Sequence, residues 1–213
     1  LRNSLLASPK NGYTRLTDAQ RDEMEGYAQR YMAFMSECKT EREATAWTVR
    51  EAEKLGYKPF APGMEAKPGD KMYYNNRNKS IALAVVGTKS LREGANICAA
   101  HVDSPRLDIK PNPLYEDSEI YYGGIKKYQW TTIPLALHGV VYRADGAVVT
   151  VTIGEDEGDP ILMVSDLLPH LAADQMQKPA GKIIEGEQLN VILGSEPLEG
   201  DGSDLVKLHI MKL

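Results

Sequence analysis

The chain has 213 residues, 42% of them hydrophobic and 26% charged, and carries a formal net charge of −5. That length allows one large domain or two modest ones with a real core, and the composition is that of a globular protein. The acidic balance, without a lysine or arginine run forming a stripe, argues against a nucleic-acid binder, and no apolar stretch reaches the length of a membrane span.

The opening Leu1 to Leu16 is polar, is punctuated by Pro9 and Asn11-Gly12, and reads as an extended arm. It lacks the hydrophobic region of a signal peptide, so the cytoplasm is the expected compartment. A helix starts at Thr17, where Thr17-Asp18-Ala19-Gln20 makes a capping box that satisfies backbone donors in both directions. Met24, Tyr27, Ala28, Tyr31, Met32 and Met35 recur at helical spacing, a stripe expected to pack in the core rather than cradle a cofactor. A second capping box, Thr40-Glu41-Arg42-Glu43, opens another helix that Gly56 ends after Leu55. Only two cysteines are present, Cys38 and Cys98, in unrelated contexts; no disulfide scaffold is indicated and a reducing compartment is the default.

The period then changes. Residues 71–76 and 80–86 flank Arg77-Asn78-Lys79, as in a hairpin. Lys89 to Gly94 leads into Asn96-Ile97-Cys98-Ala99-Ala100, which reads as a short buried strand where Cys98 acts as a small hydrophobe. Two helices followed by three strands make a mixed α/β half-domain. At the strand's end stands His101-Val102-Asp103-Ser104-Pro105-Arg106. Alternation along a strand points His101 and Asp103 the same way, at the end where α/β sheets place their chemistry. Imidazole is the commonest metal ligand and a neighbouring carboxylate can fix its tautomer, so the tract reads as the first half of a metal site. Taken alone, a His-x-Asp pair is more often a hydrogen-bonded strand end, since zinc needs three or four protein ligands.

After Pro105 the composition shifts. Pro111-Asn112-Pro113 and Tyr121-Tyr122-Gly123-Gly124 mark loops, and Lys126-Lys127 reads as a solvated pair rather than a phosphate site. Leu135 to Arg143 and Ala147 to Ile153 flank Ala144-Asp145-Gly146, a strong hairpin signal. Glu155-Asp156-Glu157-Gly158-Asp159-Pro160 is an acidic turn whose spacing is not that of a calcium-binding EF-hand loop. Ser165-Asp166 is placed to cap a short helix through Leu167, Leu168, Leu171, Ala172 and Met176. Gln188 to Leu193 reads as a strand and Asp204 to Leu213 as the start of a helix.

The tract His101 to Arg106, then Pro113 to Asp117, Tyr121 to Trp130, Ile133 to Gly139 and Asp166 to Gln175, resembles the aspartyl aminopeptidase family in a bacterial branch, and the likeness runs from about Ala19 onward. The resemblance implies a cytosolic metallopeptidase: a mixed-sheet α/β catalytic half-domain over residues 1–106 and an inserted β-rich dimerisation domain over residues 107–213. It implies two adjacent divalent metal ions, with His101 as a metal ligand and Asp103 as the carboxylate that orients the site; imidazole and carboxylate ligands suit zinc, manganese or cobalt, and zinc is the expected metal. It implies peptide substrates cleaved at their N-terminal residue, acidic by the family's name, with broader specificity open because the bacterial branch differs around Gly123 to Leu137. It also implies a homo-oligomer built from dimers, a dodecamer among the forms, with neither nucleic acid nor membrane as partner. The family's remaining ligands and its glutamate base follow the inserted domain, so these 213 residues are expected to be an N-terminal portion. Relatives also carry more residues where Ile120 meets Tyr121. Some place a partner-subunit histidine after the Pro-His-Leu-Ala motif; that position here is Asp174, and His170 or His138 could substitute or be structural. The competing reading, from another class, is a non-catalytic oligomerisation or binding module derived from the same family.

Overall fold

The computed structural model describes residues 11–109, 119–122 and 124–192. Two compact units meet in sequence between Asp103 and Ser104.

In the first unit, the Asn11 side chain accepts the Tyr13 amide and caps a 3-10 turn over Gly12–Arg15. The arm expected through Leu16 is therefore wound at its end; its first ten residues lie outside the described set. Helix α1 spans Asp18–Glu37 and helix α2 spans Glu41–Lys54. Both begin with the anticipated capping boxes: Thr17 with Gln20, and Thr40 with Glu43. Gly56, at φ +84°, closes α2 in a conformation that costs other residues strain. The stripe on α1 is not core, contrary to expectation. Met24, Tyr27, Tyr31, Met32 and Met35 are all exposed and α1 buries none of its residues. Helical periodicity reports a face able to be buried; burial itself needs a neighbour. Half-buried Phe34 does find one, packing edge-on against Trp47 of α2 at 4.8 Å between ring centres.

The sheet of this unit has the order β1-β2-β3, formed by Lys58–Pro59, Lys71–Asn76 and Ser80–Val85. β1 runs parallel to β2, and β3 antiparallel to it. Arg77 and Asn78 both take left-handed φ of 57° in the hairpin loop, which Asn75 secures by accepting the Asn78 amide at 2.9 Å. Ala44, Thr45 and Ala52 of α2 are buried, as is Tyr73 of β2. Three strands are thus present, but the third is β1. Residues 95–105 are irregular, with Ile97 84% exposed and Cys98 exposed, so the expected buried strand over Asn96 to Ala100 is not formed. Its apolar, β-prone sequence lacks a ladder partner among the described residues, and a strand's amides and carbonyls need one.

The second unit pairs its strands two by two: β4 (Arg106–Ile109) with β5 (Glu119–Tyr122), β6 (Leu137–Tyr142) with β7 (Val148–Ile153), and β8 (Met163–Val164) with β9 (Val191–Ile192), all antiparallel. Tyr121 and Tyr122 lie in β5 rather than in a loop, their backbone paired with Leu107 and Arg106. The β6–β7 hairpin turns where expected, with Gly146 at φ +86° and Ala147 N donating to Asp145 Oδ1. Val164, Ile184 and Leu189 form the core, against which Leu107, Trp130 and Leu135 pack.

Ser165 and Asp166 cap no helix. The Asp166 carboxylate accepts from its neighbour Leu167 N and from Gln175 Nε2 instead. Pro169, which cannot continue a helix begun before it, opens a 3-10 turn, Pro169–Leu171, and only then comes α3, Ala173–Met176. Leu167, Leu168, Leu171 and Met176 are exposed. The last strand is shorter than expected because Gly186–Gln188 forms a 3-10 turn before it. The helix expected from Asp204 lies outside the described residues.

Candidate functional site

His101 and Asp103 are brought together by a local bond rather than by strand alternation. The His101 ring lies with Nδ1 3.0 Å from the Asp103 carbonyl oxygen and 3.3 Å from its Oδ1. A carbonyl oxygen can only accept, so Nδ1 carries the proton and donates. In the neutral ring the lone pair is then on Nε2, the form in which a histidine ligates a metal while its other nitrogen is held by a backbone or carboxylate oxygen. The side chain is 83% exposed, so that nitrogen is accessible. The donor chemistry fits zinc or another divalent ion, but as part of a set. Among the described residues no group of three or more His, Cys, Asp or Glu side chains could hold a metal, whereas a zinc site takes three or four protein ligands.

The other sequence candidates fall in the second unit. His170 sits in the exposed 3-10 turn after Leu168, and Asp174 in the first turn of α3, also exposed. His138 stands apart from these. On β6, its side chain is 10% exposed, and Nε2 lies 2.9 Å from Glu155 Oε1. The sequence reading missed Glu155, placing it in a solvated turn. The signal was available in the hairpin register: His138 pairs with Thr152, which brings the residues following β7 alongside it.

That acidic turn is itself built. One carboxylate oxygen of Asp159, Oδ2, accepts the amides of Gly154 at 2.7 Å, Glu155 at 3.2 Å and Asp156 at 3.2 Å. These bonds, from Gly154 first and Asp156 next, hold the Asp159 carboxyl below the usual carboxylate range. Gly154 is required where it stands. Its φ is +97°, and a Cβ there would lie 2.9 Å from the Leu135 carbonyl oxygen.

Cys38, 6% exposed between α1 and α2, is an inert thiol: burial, then the charges of Glu37 and Glu43, push it up to about 11. No helix among the described residues is long and apolar enough to cross a membrane.

Comparison with known proteins bears on what this arrangement serves. A family model described as aminopeptidase I zinc metalloprotease (M18) matches residues 34–213. The chain is 47% identical over 222 aligned residues to "Probable M18 family aminopeptidase 1" of Clostridium acetobutylicum, covering 99% of this chain and 48% of that protein. A crystal structure of an M18 aminopeptidase from Thermotoga maritima superposes with a TM-score of 0.85 at 36% identity, over 97% of this chain and 46% of that one. The S. cerevisiae mApe1 dodecamer shares the fold more distantly, at a TM-score of 0.57 and 17% identity over 68% of this chain and 36% of that one. The chain spans about half the length of the curated relatives it matches. With a family model covering most of its residues and an α/β architecture shared with solved members, the chain belongs to the M18 family of aminopeptidase I zinc metalloproteases.

Proposed function

We propose that this chain is a portion of a metal-dependent aminopeptidase that removes N-terminal residues from peptides, in which His101 is a metal ligand through Nε2 and Asp103 orients it. The observation that carries this reading is the His101–Asp103 bond, which leaves the imidazole in its ligating form. The family is one of zinc metalloproteases, and the complete site is read as taking two divalent ions. A bound divalent ion polarises the scissile carbonyl and lowers the pKa of water. This chain's own contribution is to hold one ligating nitrogen and its proton-bearing partner nitrogen in place. Residues 107–213 are read as the inserted dimerisation domain, supported by the run of paired strands from β4 onward. A homo-oligomer built from dimers follows from that reading, with the mApe1 dodecamer a precedent in fold; the cytoplasm is the compartment proposed for it. Of His138, His170 and Asp174, His138 is the best candidate for a residue of a substrate or partner-subunit site, because a carboxylate 2.9 Å away holds its ring, as orienting carboxylates do for working histidines.

The test uses the full-length protein with metal restored and a panel of Asp-, Glu-, Leu- and Ala-naphthylamides. Hydrolysis that a chelator stops, and that His101→Ala abolishes without changing the assembly, is expected. Faster turnover of Asp and Glu substrates supports an acidic preference, and equal rates remove it. Absence of exopeptidase activity on every substrate would falsify the proposal and leave the non-catalytic module, a reading favoured by there being two candidate donors in the first unit's tract rather than three.

A further inference from the structure

We infer that Glu155 is a positioning residue for His138, and that Asp159 and Gly154 are the devices that deliver it. This rests on the reading of His138 as a residue of a substrate or partner-subunit site. An ionised carboxylate can only accept, so the 2.9 Å contact requires a proton on His138 Nε2. Glu155 therefore favours hydrogen on Nε2 and helps to hold the ring's orientation, as a carboxylate does for a catalytic imidazole.

The placement of Glu155 is over-determined in a way that a solvated turn does not need. β6 and β7 run in register from Tyr142↔Val148 to Leu137↔Ile153, which sets the end of β7 beside the start of β6. Past Ile153 the chain must turn back within van der Waals distance of Leu135 and Ala136, and Gly154 is the residue that permits this. Asp159 then gathers three successive amides, those of residues 154, 155 and 156, onto a single oxygen. The backbone of Glu155 is thus fixed on both sides of its Cα. Its side chain is left 40% exposed, with one oxygen on the imidazole. Asp159 acts on the backbone and Glu155 on the ring, so the two carboxylates have separable roles.

The experiment has two readings on the same variants. In the full-length enzyme, Glu155→Ala is expected to lower kcat about tenfold with KM within about twofold, short of the effect of losing the imidazole itself. In chain labelled with 15N-histidine, the same variant is expected to shift the His138 ring from the Nε2-protonated tautomer to a mixture. Glu155→Gln, whose amide oxygen still accepts, is expected to restore most of both, and Asp159→Ala to reproduce a weaker form of the Glu155→Ala change. Glu157→Gln, an exposed acid of the same turn, is expected to change neither. If His138→Ala cuts turnover while Glu155→Ala leaves both kcat and the tautomer as they were, the positioning role is overturned and the reading of His138 stands. If His138→Ala turns over normally, the reading of His138 falls first and takes this inference with it.

Discussion

The Tyr73 hydroxyl donates to Glu53 Oε1 at 2.7 Å, tying β2 to α2 across twenty residues of sequence. The bond to Glu53, and then burial, raise the Tyr73 phenol above its ordinary value of 10.0. A phenol whose folded value is raised contributes stability that is fully present below about pH 10 and is lost as pH rises through the folded value. Urea midpoints measured from pH 7 upward are expected to fall above pH 10 for the parent chain. Tyr73→Phe is expected to start lower and to show a smaller alkaline fall; an unchanged alkaline slope would show that the bond does not couple sheet to helix.

The two thiols are expected to differ sharply. Cys98 is exposed and Cys38 is buried and held protonated up to about 11. Titration of the native chain with a thiol reagent at pH 8 is expected to give one fast thiol, with the second appearing on unfolding in urea. The raised value of Cys38 also means that its contribution to stability is present below about pH 9 and declines toward 11, where the folded thiol ionises too.

Two glycines separate backbone strain from steric collision. Both Gly146 and Gly154 have positive φ, but a Cβ on Gly146 meets open space whereas one on Gly154 meets the Leu135 backbone. Gly146→Ala is expected to cost about 1 kcal/mol for the left-handed conformation alone. Gly154→Ala is expected to cost about 2 kcal/mol or more, since a backbone neighbour cannot swing aside as a side chain can. Urea unfolding of both variants checks the order, and equal costs would remove the close approach as a constraint.

Thr132 is the converse case. It is an exposed β-branched residue at φ +60°, a conformation that disfavours such a side chain, and its amide is committed to the Val164 carbonyl at 2.7 Å. Thr132→Gly is expected to stabilise the chain by roughly 0.5–1 kcal/mol, relief of the left-handed strain exceeding the flexibility that glycine adds to the unfolded chain. A raised melting temperature would show it, and a lowered one would mean that the threonine side chain makes up for its strain elsewhere.

What the residues determined by themselves was local. Thr17 and Thr40 with their partners three positions on, Gly56 after Leu55, and the two hairpins around Arg77-Asn78 and Ala144-Asp145-Gly146 all stand where the sequence put them. Each depends on hydrogen bonds and dihedral preferences within a few residues. The His101-to-Arg106 tract and the motifs after it were enough to identify the family, because ordered motifs are read without geometry.

Tertiary structure decided what depends on a neighbour distant in sequence. It left the Met24-to-Met35 stripe in solvent and Asn96 to Ala100 without a ladder, since apolar periodicity records a capacity for burial and not the partner that provides it. It also set Glu155 against His138: the hairpin register brings the two near one another, but a close-approach glycine and Asp159 are needed to bring them within one hydrogen bond.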